Sequence, residues 1–259
     1  MAETQKRGKF MLDVEKRLAK AVKHFWTVRK RQQKNQGQKT GKKDAGSRAA
    51  VTGGKHADEF VGLIADIVRD AGLPDATIHA VQKKSRTLPG YFRAAKEWDI
   101  VVVSGQDLVA AVEVKSQVGS FGNNANNRVE EALGNATDFW AAYRCGILKP
   151  SQKPWLGYLF MLEEAEISTR PRRRIDLQPF AVDEAYQVKS YAQNYEETCK
   201  RLVREMLYDA ACFFVSNAAA GMKGKFRQPS DELSIRNFAI SLHARAAAFA
   251  GIKRSQGSN

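Results

Sequence analysis

The chain is short of cysteine, histidine and long apolar runs, and each shortage closes off a class of protein. Three cysteines, Cys145, Cys199 and Cys212, are odd in number and far apart. They make neither a disulfide framework nor a zinc site of ordinary spacing. Cys199 and Cys212 fall in a stretch expected to be helical, where they read as small core residues. The four histidines, His24, His56, His79 and His243, have no metal-ligand spacing, and no Ser/His/Asp arrangement accompanies them. No apolar run is long enough to span a bilayer, and no signal-type apolar segment is present, so the reading is cytoplasmic with no membrane partner.

Acid is scarce too. Against 42 Lys and Arg there are 28 Asp and Glu, a formal net charge of +14. Residues 1–55 hold sixteen of the bases and four of the acids, a net of +12, which leaves only +2 for the rest. A positive field of this kind suits a nucleic-acid partner. A chain of 259 residues can bury one substantial core with an appended lobe. Three parts are expected: a basic N-terminal helix and flexible linker over 1–54, a catalytic core over 55–165, and a basic loop with C-terminal helices over 166–259. The last part packs on the core or makes dimer or DNA contacts.

What the sequence does have is two Val-rich runs bearing charges. Trp98-Asp99 leads into Ile100-Val101-Val102-Val103. Leu108 to Val112 leads into Glu113-Val114-Lys115. Both runs read as buried strands, and Ser104-Gly105-Gln106-Asp107 between them reads as a hairpin turn. Strand alternation puts Glu113 and Lys115 on one face, about 6–7 Å apart. Asp99 depends on register. A two-residue loop at Gly105-Gln106 sets it opposite Val112; an odd loop, or a bulge, sets it opposite Glu113. The odd loop is the expectation. Two adjacent carboxylates repel, and a divalent cation removes the conflict. Oxygen-only ligands favour Mg²⁺, which suits phosphate substrates. Lys115 would orient or deprotonate a water, or offset phosphorane charge. Such parts hydrolyse phosphodiesters.

The remaining periodicity predicts helices over Phe10–Arg31, Lys55–Ala71, Arg128–Tyr143 and Ser190–Phe214, and another after Ser230. It predicts strands over Thr77–Lys83 and Trp155–Leu162. The first helix either packs on the domain with a solvated basic face, or lies across DNA phosphates or makes a dimer contact. Gln32–Lys43 reads as a mobile linker that orders on DNA, Asp44–Lys55 as a turn before the first core helix, and Met222–Arg227 as a flexible basic loop. Gln117, Asn123, Asn124, Asn126 and Asn127 lie just after Lys115, in what reads as a loop beside the scissile phosphate. Paired amide hydrogen bonds to adenine suit them, as do turns and caps, with Asn127 a candidate cap for the helix at Arg128. Arg170-Pro-Arg-Arg-Arg174 is rich in the residue that pairs phosphate or guanine with two bonds, so Arg172, Arg173 and Arg174 join Arg128 as DNA-binding candidates.

The acid, turn and Glu-x-Lys order resembles the PD-(D/E)xK nuclease superfamily, with Trp98 where the nominal proline stands. That resemblance implies an α/β fold, a mixed central sheet flanked by helices, here with a basic N-terminal arm and a helical C-terminal part. It also makes Glu59, and less readily Asp58, a candidate metal-assisting acid on the first core helix. The Asn-rich stretch from Glu113 to Asp138, with Asp44-Ala-Gly-Ser-Arg, Val51-Thr-Gly-Gly-Lys and Leu88-Pro-Gly-Tyr-Phe-Arg, is similar to the XhoI family of type II restriction endonucleases over roughly residues 10–245. This resemblance implies a homodimeric, Mg²⁺-dependent bacterial enzyme that cuts the palindrome CTCGAG in double-stranded DNA after its first C. Asp99, Glu113 and Lys115 would be its catalytic set, Asp99 and Glu113 its metal ligands, and a cognate DNA methyltransferase its functional partner. Two other readings compete: a structure-selective repair or recombination nuclease on the same fold, and a DNA-binding protein without chemistry.

Overall fold

Among the described residues seven strands form around the Val-rich runs: β1 (Thr77–His79), β2 (Thr87–Pro89), β3 (Ala95–Glu97), β4 (Ile100–Ser104), β5 (Asp107–Gln117), β6 (Trp155–Glu163) and β7 (Ala210–Ser216). The structure is a computed structural model and describes residues 2–40, 58–149 and 152–256. The main sheet has the order β1-β4-β5-β6-β7, with β2 and β3 paired apart from it. β1, β4 and β5 run antiparallel, while β6 and β7 add parallel to β5. The result is the helix-flanked mixed sheet of a restriction-endonuclease-like core.

Alternation gives this sheet two apolar faces. Ile100, Val102, Val112, Leu159 and Phe214 share one core with Val14, Leu18, Val22, Ile64, Ile67, Phe238 and Leu242. These last residues come from α1 (Ala2–Thr40), α2 (Asp58–Asp70) and α7 (Ile235–Gln256). Val101, Ala111, Leu156, Phe160 and Phe213 face the other way, onto Trp98, Phe139, Tyr195 and Cys199. The helices there are α3 (Phe121–Arg144) and α5 (Tyr191–Arg204). Two short turns, α4 (Glu166–Thr169) and α6 (Ala218–Gly221), complete the helices. None of the described helices is long and apolar enough to cross a membrane.

The register of β4 and β5 is set in an unexpected way. The loop has two residues, since Ser104 pairs Asp107 and Val103 pairs Leu108. Gly105 has φ 66°, the sign a tight hairpin takes with glycine at its first central position. The pairing then slips between Val102 and Val103, so Val102 opposes Ala110 and Ile100 opposes Val112. Val109 is the extra residue, a β-bulge fully buried in the core. The expected odd loop is therefore corrected to an even loop plus a bulge. Continued one step, the pairing sets Asp99 opposite Glu113.

Other expectations need correction. Ala210–Ser216 is a strand and not the end of a helix from Ser190; α5 stops at Arg204. A fully buried seven-residue apolar run fits either element by pattern, and the open edge of β6 decides. Cys212 is thus a strand residue. The first strand is only three residues long, and a 3-10 turn at Lys84–Arg86 follows. α1 continues to Thr40, through the first part of the expected linker, because Gln, Lys and Arg are good helix formers even without an apolar face. Residues 41–57, including the expected turn at Asp44–Lys55, lie outside the described residues. α1 packs through its apolar stripe, with Trp26 Nε1 donating to Ser216 Oγ at 3.1 Å. The segment Met222–Arg227 is tied down, Arg227 exchanging backbone hydrogen bonds with Val215 and pairing with Glu164 at 2.8 Å. Ser230 precedes a 3-10 turn without capping it, and Ser234 Oγ takes the first-turn N–H of Asn237 in α7.

Candidate active site

The bulge brings the first acid onto the face that carries the second. Asp99 stands one residue before β4, and its Oδ2 accepts the N–H of Val114 at 2.7 Å. Glu113 is 2 % exposed. Its Oε1 meets the Lys115 ammonium, and its Oε2 takes Lys96 Nζ at 2.9 Å. Lys96 comes from β3, donates also to Glu97 O at 3.0 Å, and lies 4.5 Å over the Trp98 ring. Lys115 reaches Glu131 of α3 at 3.8 Å, and Arg128 holds that carboxylate at 2.7 Å.

Burial and charge make the two carboxylates unequal. Burial, and then the neighbouring Glu113, push Asp99 up to about 6. Burial also opposes ionisation of Glu113, but Lys115 and Lys96 outweigh it and hold its carboxyl below the usual range. Burial would lower Lys115, yet its contact with Glu113 keeps it raised and cationic. Among the described residues no three His, Cys, Asp or Glu side chains gather. A cation here would be held by Asp99 and Glu113, with water and substrate phosphate completing the shell, as Mg²⁺ prefers. The fit is favourable, because a dication would offset both the burial and the neighbouring Glu113 charge that raise Asp99. Lys96 would have to yield Oε2.

The other candidates scatter. Glu59 pairs with Lys20 of α1 at 2.9 Å, on the helices that cover the opposite face of the sheet, and is not brought to Asp99 and Glu113. The side chain of Asp58 lies outside the described residues. Gln117 is 3 % exposed and braces the turn after β5, donating to Gly119 O at 2.7 Å and Ser120 O at 3.2 Å. Asn123, Asn124, Asn126 and Asn127 are not in a loop. They fill the first turns of α3, which starts at Phe121, so Asn127 is no cap. Asn is a poor helix former, but buried Phe121 stacks on Tyr191 and anchors the early start. Asn124 donates to Ser120 O at 3.1 Å. Asn126 and Arg172 line a cavity of about 200 Å³ with Tyr186, Tyr191 and Tyr195. Arg172 lies 4.7 Å over Tyr191 and donates to Lys189 O, whereas Arg173 and Arg174 are exposed. Lys96 had no signal in the sequence, since nothing local marks the hairpin that carries it.

The mixed sheet bearing paired carboxylates and a lysine places the chain in the class of restriction-endonuclease-like proteins. The family model described as Restriction endonuclease XhoI matches residues 35–228, and the chain belongs to that family. It is 43% identical over 216 residues to the type II restriction enzyme BstVI of Geobacillus stearothermophilus, covering 81% of this chain and 95% of that protein. Against the type II restriction enzyme XhoI of Xanthomonas vasicola it is 43% identical over 190 residues, 72% of this chain and 75% of that one. AbrI of Azospirillum brasilense, also a type II restriction enzyme, is 46% identical over 171 residues, 65% and 74% of the two chains. No solved structure matches. Membership makes the chain a site-specific restriction endonuclease, a hydrolase that acts on DNA, and favours that reading over a structure-selective repair nuclease.

Proposed function

We propose that the chain hydrolyses both strands of duplex DNA at the palindrome CTCGAG, after the first C and leaving a 5′ overhang, in a Mg²⁺-dependent reaction. It would do so as a homodimer with one active site per strand, and a cognate methyltransferase would protect the same site. The observation that carries this reading is the meeting of Asp99, Glu113 and Lys115 on one face of the β4–β5 hairpin. Asp99 and Glu113 would hold Mg²⁺, which when bound supplies a Lewis acid and an acidified water. The chain's own residues do the rest. Asp99 is oriented by the Val114 N–H. Lys115, paired with Glu113, would orient the water and offset phosphorane charge. The water oxygen forms a new bond to phosphorus and gives up a proton to solvent, the bond from phosphorus to one deoxyribose oxygen breaks, and that oxygen takes a proton from solvent water. Arg128, Arg173 and Arg174 remain candidates for phosphate contact.

Plasmid digestion with Mg²⁺, followed by end sequencing, tests the proposal. Discrete fragments ending in TCGA overhangs are expected. A smear, or an uncut plasmid, overturns the activity, and discrete cuts elsewhere overturn the site alone.

A further inference from the structure

The hairpin of β2 and β3 exposes two aromatic rings on an anchored backbone. Tyr91 is 51% and Phe92 71% exposed, their rings edge to face at 4.9 Å. Asp138 of α3, 4 % exposed, reaches out to brace them. Its Oδ1 accepts the N–H groups of Tyr91 at 2.9 Å and Phe92 at 2.7 Å, and its Oδ2 accepts Arg93 Nε at 2.8 Å. Arg93 also donates to Asn135 Oδ1 at 3.1 Å. A Cβ on Gly90 would lie 2.6 Å from Asp138 Oδ2, so the close approach requires glycine. A buried carboxylate with this set of donors is a rigid clamp, and what it fixes in place is apolar surface in water. Among the described residues neither ring belongs to either core of the sheet, which leaves both available to a partner.

Charge and position say what that is. From Gln82 to Lys96 the chain has five Lys or Arg; Lys83 and Arg86 share Glu97, Arg93 pairs with Asp138 and Lys96 with Glu113, so the positive surplus is small and lies with the exposed Lys83 and Lys84, on the side a polyanion would approach. The base of the hairpin is bolted to the candidate active site: Trp98 N donates to Arg86 O at 2.9 Å, Arg86 donates to Trp98 O at 2.8 Å, and Lys96 grips Glu113. Asp99 follows Phe92 by seven residues, a reach of at most ~25 Å, so the tip lies within about seven base pairs of a phosphate held at the acids.

We propose that Tyr91 and Phe92 form an aromatic wedge that enters the base stack of the bound DNA duplex in or beside the cleavage site, with Arg93 on the adjacent backbone. Such wedges unstack a base step and kink the duplex. The proposal rests on the DNA-cutting reading of the Asp99–Glu113 site, and the test separates the two.

A duplex that the full-length enzyme cuts with Mg²⁺ is rebuilt with 2-aminopurine at each position in turn and bound with Ca²⁺ in place of Mg²⁺. One position should brighten severalfold on binding. In Tyr91→Ala/Phe92→Ala that rise should vanish and affinity should fall by about tenfold or more, with thermal unfolding unchanged because both rings are exposed. Phe92→Trp should keep the rise. If no duplex is cut, the nuclease reading fails first. If DNA is cut and every probe stays dark, the wedge is wrong while the nuclease stands. Dark probes together with a double variant that sediments as a smaller species would make the pair a contact between copies, which also overturns the wedge.

Discussion

The two faces of the central sheet are built from the same strands under different rules. On the side of α1, α2 and α7, Ile100, Val102, Val112, Leu159 and Phe214 pack in a large apolar core. On the side of α3 and α5, apolar packing gives way to ions: Glu113 is buried against Lys96 and Lys115, and Gln117, Asn135 and Asp138 are buried nearby in sequence or on the facing helix. Alternation lets one strand serve both sides, so β5 stabilises the domain with Val112 while presenting Glu113. A buried ion pair adds little net stability, yet removing one partner costs about 3–5 kcal/mol. The second face is therefore costly to alter and weak as a source of stability.

The contrast can be broken with one substitution on each side. Asp99→Asn keeps an acceptor for the Val114 N–H but loses the charge that would bind a cation. Cleavage should fall by about 10³-fold or more while the protein stays folded and binds its DNA; near-normal cutting rates would remove Asp99 from the mechanism. Phe238→Ala empties a fully buried site against Trp155. It should lose about 3–5 kcal/mol in urea unfolding with the cleavage rate of the folded fraction unchanged.

A smaller effect is expected from pH. Asp99 has its folded pKa raised to about 6, above the ordinary value of roughly 3.9 in an unfolded chain. Below both values it is protonated in either state and contributes nothing. Between them the folded form binds the extra proton, so stability falls as pH rises, by on the order of 3 kcal/mol at neutrality. Glu113 runs the other way: its lowered pKa adds stability that is lost as pH falls below the usual carboxylate range. Unfolding from pH 5 to 7 without metal should therefore show a decline that Asp99→Asn abolishes and that Ca²⁺ or Mg²⁺ reverses more at pH 7 than at pH 5. Equal slopes in the two proteins would contradict it. The smallest effect concerns Lys96. Because its ammonium occupies Glu113 Oε2, Lys96→Met should bind Ca²⁺ about tenfold more tightly by calorimetry. Weaker binding would show that Lys96 assists the cation and does not compete with it.

The parts legible in the sequence were those set by local period. The apolar face of α2, the strand β6 and the shared face of Glu113 and Lys115 follow from alternation or helical spacing, whereas Asp99 joins that face through the bulge at Val109. What escaped was set by distant partners. The β2–β3 hairpin is short and largely exposed, and Asp138, more than forty residues away, holds its tip. Lys96 rides on that hairpin and so had no visible address. The Asn residues after Lys115 read as a loop by propensity, and the Phe121–Tyr191 stack overrode it. β7 looked helical because an apolar run carries no period.

The bulge at Val109 has a consequence for divergence within the family. The odd residue between the two acids is stowed in the hydrocarbon core and not in the surface turn, where Lys253 Nζ merely clasps Ser104 O at 2.6 Å. Alignment of Asp99 with Glu113 is therefore insulated from the outer end of the hairpin. The Gly105-Gln106 tip is free to lengthen or change without retuning the active site, whereas the spacing between Val109 and Glu113 is not.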